Sequence, residues 1–104
     1  MTPLPHRAAF YRTLAQLLSA GAPVLTAVES AAAHLPRHLA NRARDELRET
    51  VARGEPVSTA LAATELFPSE HLQLLAIAER SGHLDTMLLD LADFTEELIG
   101  LRRP

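Results

Sequence analysis

The chain has 104 residues, enough to build one core and too few for two. Cysteine is absent, which excludes a disulfide framework, a thiolate metal site and a cysteine nucleophile. The net charge of −3 is unevenly spread: residues 1–53 hold seven arginines against four acids, while residues 54–104 hold nine acids against three arginines, a dipolar pattern suited to docking on a partner or on a second copy.

Apolar residues make up 47% of the chain but aromatics only 4%, so alanine and leucine must build the core. A first helix is predicted from Leu4 or Pro5 to Ala20, with Phe10, Leu14, Leu17 and Leu18 on one face. Gly21 ends it, because the left-handed position after a helix costs glycine least, and Pro23 opens the second helix at its first turn. Leu25, Val28, Ala32 and Leu35 continue an inward stripe until Pro36 interrupts it. The third helix runs from Arg37 to Arg53, with Leu39, Ala43, Leu47 and Val51 recurring every four residues, and Gly54 closes it. Pro56 starts a short fourth helix through Ala63. Phe67–Pro68 marks the next break, after which Ser69 and Glu70 suit the start of a fifth helix. In that helix Leu72, Leu75, Ala76 and Glu79 share a face, and Gly82 ends it. A sixth helix, Leu84 to Leu98, carries Leu84, Leu88, Leu91, Ala92 and Leu98 on one stripe. The expected fold is all-α, a compact six-helix bundle of antiparallel helical hairpins.

The longest uncharged stretch, Thr13 to Val28, contains Gly21 and Pro23 and is too short and too broken to span a bilayer. The first ten residues lack the continuous apolar run of a signal peptide. His34 and His38 have the spacing of a helical zinc pair, but Pro36 lies between them and no third ligand stands nearby. Ala78, Gly82 and Leu88 loosely match a DNA-binding helix-turn-helix, yet the following helix carries Asp85, Asp90, Asp93, Glu96 and Glu97 and would be repelled by phosphate. Nucleic acid is therefore not an expected partner. Serine is sparse, no glycine-rich loop exists and the acids are distributed as on a solvated helix, so no enzyme is expected.

Glu79 stands out. It lies on an otherwise apolar face at a helix C-terminus, where the macrodipole disfavours an anion. A compensating partner is required: Arg12 or another arginine, the start of the next helix, a divalent cation shared with Asp85, or a second subunit.

The order of these corners resembles a known family. FYRTLAQLLSAGAPVLTAV looks like the opening of the F-type inner-membrane platform proteins of bacterial type II secretion, shared with type IV pilus assembly. VARGEPVSTALAA resembles the family's second block, and LFPSEHLQLLAIAERSGHLDTMLLDLADF its third. Phe10, Arg12, Gly21, Pro23, Gly54, Phe67, Pro68, Glu79, Gly82 and Leu84 stand in family positions, and the likeness runs from about residue 10 to residue 94. In two places the chain departs. Pro56 replaces a helix-capping serine, which leaves Glu55 to cap that helix, and Ala78 replaces a glycine.

The resemblance implies that residues 1–104 are a single cytoplasmic helical domain of a longer membrane protein, at the cytoplasmic face of the bacterial inner membrane. It implies a non-enzymatic scaffold that forms a homodimer and meets the assembly ATPase and inner-membrane assembly proteins. Membrane contact would come only through transmembrane segments outside this chain, with Arg102 and Arg103 as a basic approach to the bilayer. No cofactor is required. Calcium or magnesium held by Glu79 and Asp85 at a subunit interface is the one ligand expected, with water completing its shell. The alternative is a helical adaptor with no membrane partner.

Overall fold

The computed structural model describes residues 2–102, so Arg103 of the expected basic approach lies outside it. Six helices form among the described residues: α1 Leu4–Ser19, α2 Val24–Ala32, α3 Arg37–Ala52, α4 Val57–Ala63, α5 Ser69–Arg80 and α6 Leu84–Arg102. The expected all-α bundle is present.

Three corners share one design. Gly21, Gly54 and Gly82 have φ of 85°, 82° and 78°, and each follows the last turn of a helix. After α1 the Gly21 amide donates to the Leu18 carbonyl and the Ala22 amide to the Leu17 carbonyl, both at 3.0 Å, a Schellman closure that satisfies two orphan carbonyls. The same pair of bonds recurs at Gly54 with Glu55 and at Gly82 with His83. No atom lies within 4 Å of a Cβ built on Gly21, so its requirement for glycine is the backbone angle alone. Gly21→Val is accordingly expected to cost about 1–2 kcal/mol or more, because a β-branched residue fits the left-handed region poorly. An unchanged melting temperature would refute that account.

The other side of each corner is built by proline. Pro3, Pro23, Pro36, Pro56 and Pro68 occupy the N-cap positions of α1 to α5, and none of these helices receives a hydrogen bond from its own cap side chain. Proline presets the entering dihedral but carries no side-chain oxygen, so these starts must find other acceptors. The expectation that Glu55 caps α4 is corrected here, since the acceptor comes from α5 instead.

Each helix packs on its neighbours in the chain, and α1 packs most extensively on α6, closing the set into a ring. Their antiparallel sense follows from two links: Ser19 at the end of α1 meets Asp85 at the start of α6, while Arg12 meets Asp93 and Glu96 further along. The core holds Phe10, Tyr11, Leu14, Val28, Leu47, Leu61, Leu75 and Leu88, with Ala15, Ala27, Ala31, Ala60 and Ala92 buried among them. Thr50 and Thr95 lie on buried stripes because each hydroxyl donates to the carbonyl four residues back, Glu46 at 2.8 Å and Leu91 at 2.6 Å.

Candidate functional site

Glu79 sits in the last turn of α5, half-buried, with its carboxylate against the start of α4. The Val57 amide donates to Oε2 at 2.6 Å, and the Ser58 amide and hydroxyl donate to Oε1 at 3.1 and 2.8 Å. The acid is thus the missing cap of α4, delivered from the neighbouring helix. The cost of an anion at the C-terminus of α5 is offset at the positive end of α4, where two amides without an intrahelical acceptor need a partner. The required partner is a helix start, although of the helix before α5 and not the one after it.

Asp85 is engaged elsewhere. Its Oδ2 accepts from the Ser19 hydroxyl at 3.0 Å and its Oδ1 from the Thr86 amide at 3.0 Å, which ties the end of α1 to the first turn of α6. Glu79 and Asp85 therefore serve different elements, α4 and α1. Among the described residues no group of three or more His, Asp or Glu is placed to hold a metal ion. A cation claiming either carboxylate would have to displace these bonds. Arg12 is likewise spoken for: it reaches Asp93 at 2.6 Å and Glu96 at 2.9 Å, and those bonds raise its already high pKa, Glu96 first. His34 and His38 are exposed.

A second cluster went unread in the sequence. Arg7 is only 6% exposed, and its Nε has no hydrogen-bond partner among the described residues. Tyr11, one turn on, lies 2.8 Å through its hydroxyl from His71 Nδ1. Phe67 and Phe94 pack near these rings, with the Tyr11–Phe67 and His71–Phe94 centroids 5.7 and 6.3 Å apart. The signal that exposed Glu79 was present here too, since Arg7, Phe10, Tyr11 and Leu14 fall on one helical stripe. Burial raises the Tyr11 pKa, so the phenol keeps its proton and, in the Nε2-protonated tautomer of His71, donates to Nδ1. Burial and then the Arg7 charge lower the His71 pKa, against a smaller opposing effect of Glu70. With the folded value below the unfolded 6.5, the His71 contribution is fully present above pH 6.5 and is lost as acidification charges the unfolded ring first. Thermal melts from pH 7 down to pH 5 are expected to show declining stability, with a shallower decline in His71→Gln. Equal slopes in the two proteins would refute this coupling.

The sequence matches the family described as type II secretion system (T2SS), protein F, over residues 10–103. The chain belongs to this family. It is 34% identical over 86% of its length to the type IV pilus assembly protein PilC of Myxococcus xanthus. Identity to the type 4 fimbrial assembly protein PilC of Pseudomonas putida is 40% over 89% of the chain. For the type II secretion system protein F of Aeromonas hydrophila it is 36% over 85%. The chain spans 22%, 23% and 23% of these three relatives. Within this protein F domain the residues that carried the resemblance lie at corners and in the core: Gly21, Gly54 and Gly82 end helices, Pro23 and Pro68 start them, and Phe10 and Phe67 stack with centroids 4.9 Å apart. Leu84 opens α6 and packs, half-buried, against the core. Ala78, the departure from glycine, is accommodated as a buried residue of α5.

Proposed function

We propose that this protein F domain is a non-enzymatic scaffold, the cytoplasmic module of an inner-membrane platform in a type II secretion or type IV pilus machine. In that reading it pairs as a homodimer and links the assembly ATPase to the membrane complex. The observation that carries the reading is the family match over residues 10–103. The relatives' names, pilus assembly protein and secretion system protein F, support the machine class. The opposed charges of the two halves of the chain support self-association, because the basic half of one copy complements the acidic half of another. No described helix is long and apolar enough to cross a membrane, so this segment would act beside the bilayer.

Sedimentation tests the pairing. A concentration-dependent dimer that weakens with salt is expected, and a chain that stays monomeric at high concentration and low salt would overturn it. Repeating the measurement with Glu79→Gln, in calcium or magnesium and then in chelator, tests a cation at the interface. Association that loses ion dependence in the variant would assign Glu79 and Asp85 to a shared metal; identical association throughout would leave Glu79 to its work at α4. For the wider reading, a full-length protein carrying surface substitutions in this domain is expected to lose co-purification with the assembly ATPase while remaining in the membrane. Retained co-purification after the domain is deleted would sink it.

A further inference from the structure

One surface of the bundle combines exposed apolar side chains with a one-signed rim. Between α5 and α6 runs a groove of about 210 Å³ whose lining includes Leu74, Ile77, Met87 and Asp90. Leu74 is 42% exposed and Ile77 58%, and Phe94, 49% exposed, continues the apolar surface one turn beyond Asp90 on α6. Isolated exposed apolar residues are ordinary, but a contiguous run along a groove is characteristic of an interaction surface.

The rim is acidic. Asp90 lines the groove, Glu70 stands one turn before Leu74 on the same face of α5, and Glu97 stands seven residues after Asp90 on the same face of α6. Arg80, the basic residue of α5, is exposed three residues after Ile77, a single cation at the helix end beside these three acids. Asp93 and Glu96 of α6 are already paired with Arg12, whereas no ion pair occupies Glu70, Asp90 or Glu97 among the described residues.

Neither surface of the chain itself complements this groove. Two copies meeting face to face through it would set one acidic rim, Glu70, Asp90 and Glu97, against another. The basic α3 of a second copy offers Arg37, Arg42 and Arg44, but Leu47 is buried, Val51 packs on its own core and Leu39 is half-buried, so no exposed large apolar side chain is left to fill the floor. What fits is a helix with an apolar stripe for Leu74, Ile77 and Met87 and with lysine or arginine on both flanks. We propose that the α5–α6 groove receives a basic amphipathic helix of a partner protein. This goes beyond the homodimer and does not depend on it.

The test uses the 104-residue chain, isotope-labelled for NMR, and three synthetic helices of about 18 residues, five turns each. One carries a leucine stripe flanked by lysine, one the same stripe flanked by glutamate, and one the first composition with the stripe scrambled. The lysine-flanked helix is expected to shift the amides of Leu74, Ile77, Met87 and Asp90 in a saturable, salt-dependent manner. Ile77→Gln and Asp90→Lys, both at exposed positions, should each weaken that binding by about tenfold while circular dichroism stays unchanged. Equal binding of the scrambled or the glutamate-flanked helix would overturn the proposal, as would shifts located elsewhere or none. If Ile77→Gln abolishes self-association and leaves the helix unbound in both proteins, the groove belongs to a second copy and the proposal fails.

Discussion

Phe10→Ala should lower stability by about 3–5 kcal/mol, the largest single-residue loss expected in this domain. Phe10 is fully buried and stacks on Phe67 and Tyr11, so removing its ring opens a void bounded by α1 and the α4–α5 connection. Aromatics are few in this chain, and no neighbouring ring is free to refill the space. A domain of this size is typically stable by about 5–15 kcal/mol, so the loss would take a large share of the total. Urea denaturation measures it directly. Phe10→Leu, which keeps more of the volume, is expected to lose less than half as much. An unfolding free energy for Phe10→Ala within about 1 kcal/mol of wild type would mean that the Phe10–Phe67 stack is not the centre of the core.

Glu79→Ala should cost about 2–3 kcal/mol and lower the melting temperature by roughly 10 °C or more. The substitution strips the acceptor from the Val57 and Ser58 amides and from the Ser58 hydroxyl together, at the start of a helix of only seven residues. Glu79→Gln retains one oxygen and gives up the charge at the positive end of α4, so about half the loss is expected. Two further readouts separate a local clamp from a general packing defect. Amide exchange at Val57 and Ser58 should accelerate far more than exchange in α1 or α6. Ser58→Ala combined with Glu79→Ala should cost less than the sum of the single changes, because both delete the same bond. Strict additivity with uniform exchange would contradict the cap.

The helix ends were legible in the sequence because each is decided locally. Gly21, Gly54 and Gly82 announce left-handed residues, and Leu39, Ala43, Leu47 and Val51 recur every four residues, so neither needs knowledge of the rest of the chain. That Glu79 required compensation was also readable, because a charge on an apolar face at the wrong helix end is a local conflict. Its partner was not. Val57 and Ser58 lie 22 and 21 residues upstream, and only the packing of α4 on α5 brings them within reach. Proline at the start of α4 was read as leaving the cap to adjacent Glu55, whereas the bundle supplies an acid from across the corner. Arg7 shows the opposite failure. It shares a stripe with Phe10 and Leu14, but a lone cation amid so many arginines carries no local sign of burial. Thr95 passed unnoticed for a simpler reason: its hydroxyl is satisfied within its own helix, so it behaves as an apolar residue on the buried face of α6.

The α1–α6 pairing also sets a timetable for synthesis. α1 ends at Ser19 and α6 begins at Leu84, so the stripe of Phe10, Tyr11 and Leu14 leaves the ribosome long before its main partner is made. At translation rates of about 5–20 residues per second the wait is several seconds. Through that interval α2 to α5 can form and pair with their neighbours, but the ring stays open and the most apolar face of α1 stays uncovered. Emergence of α6 is then the committing event, and a ribosome stalled before residue 84 would present a nascent chain with helices but no closed core. Such a chain is a natural client for chaperones that bind exposed apolar helices, whereas a chain whose α6 has left the ribosome and docked on α1 is not.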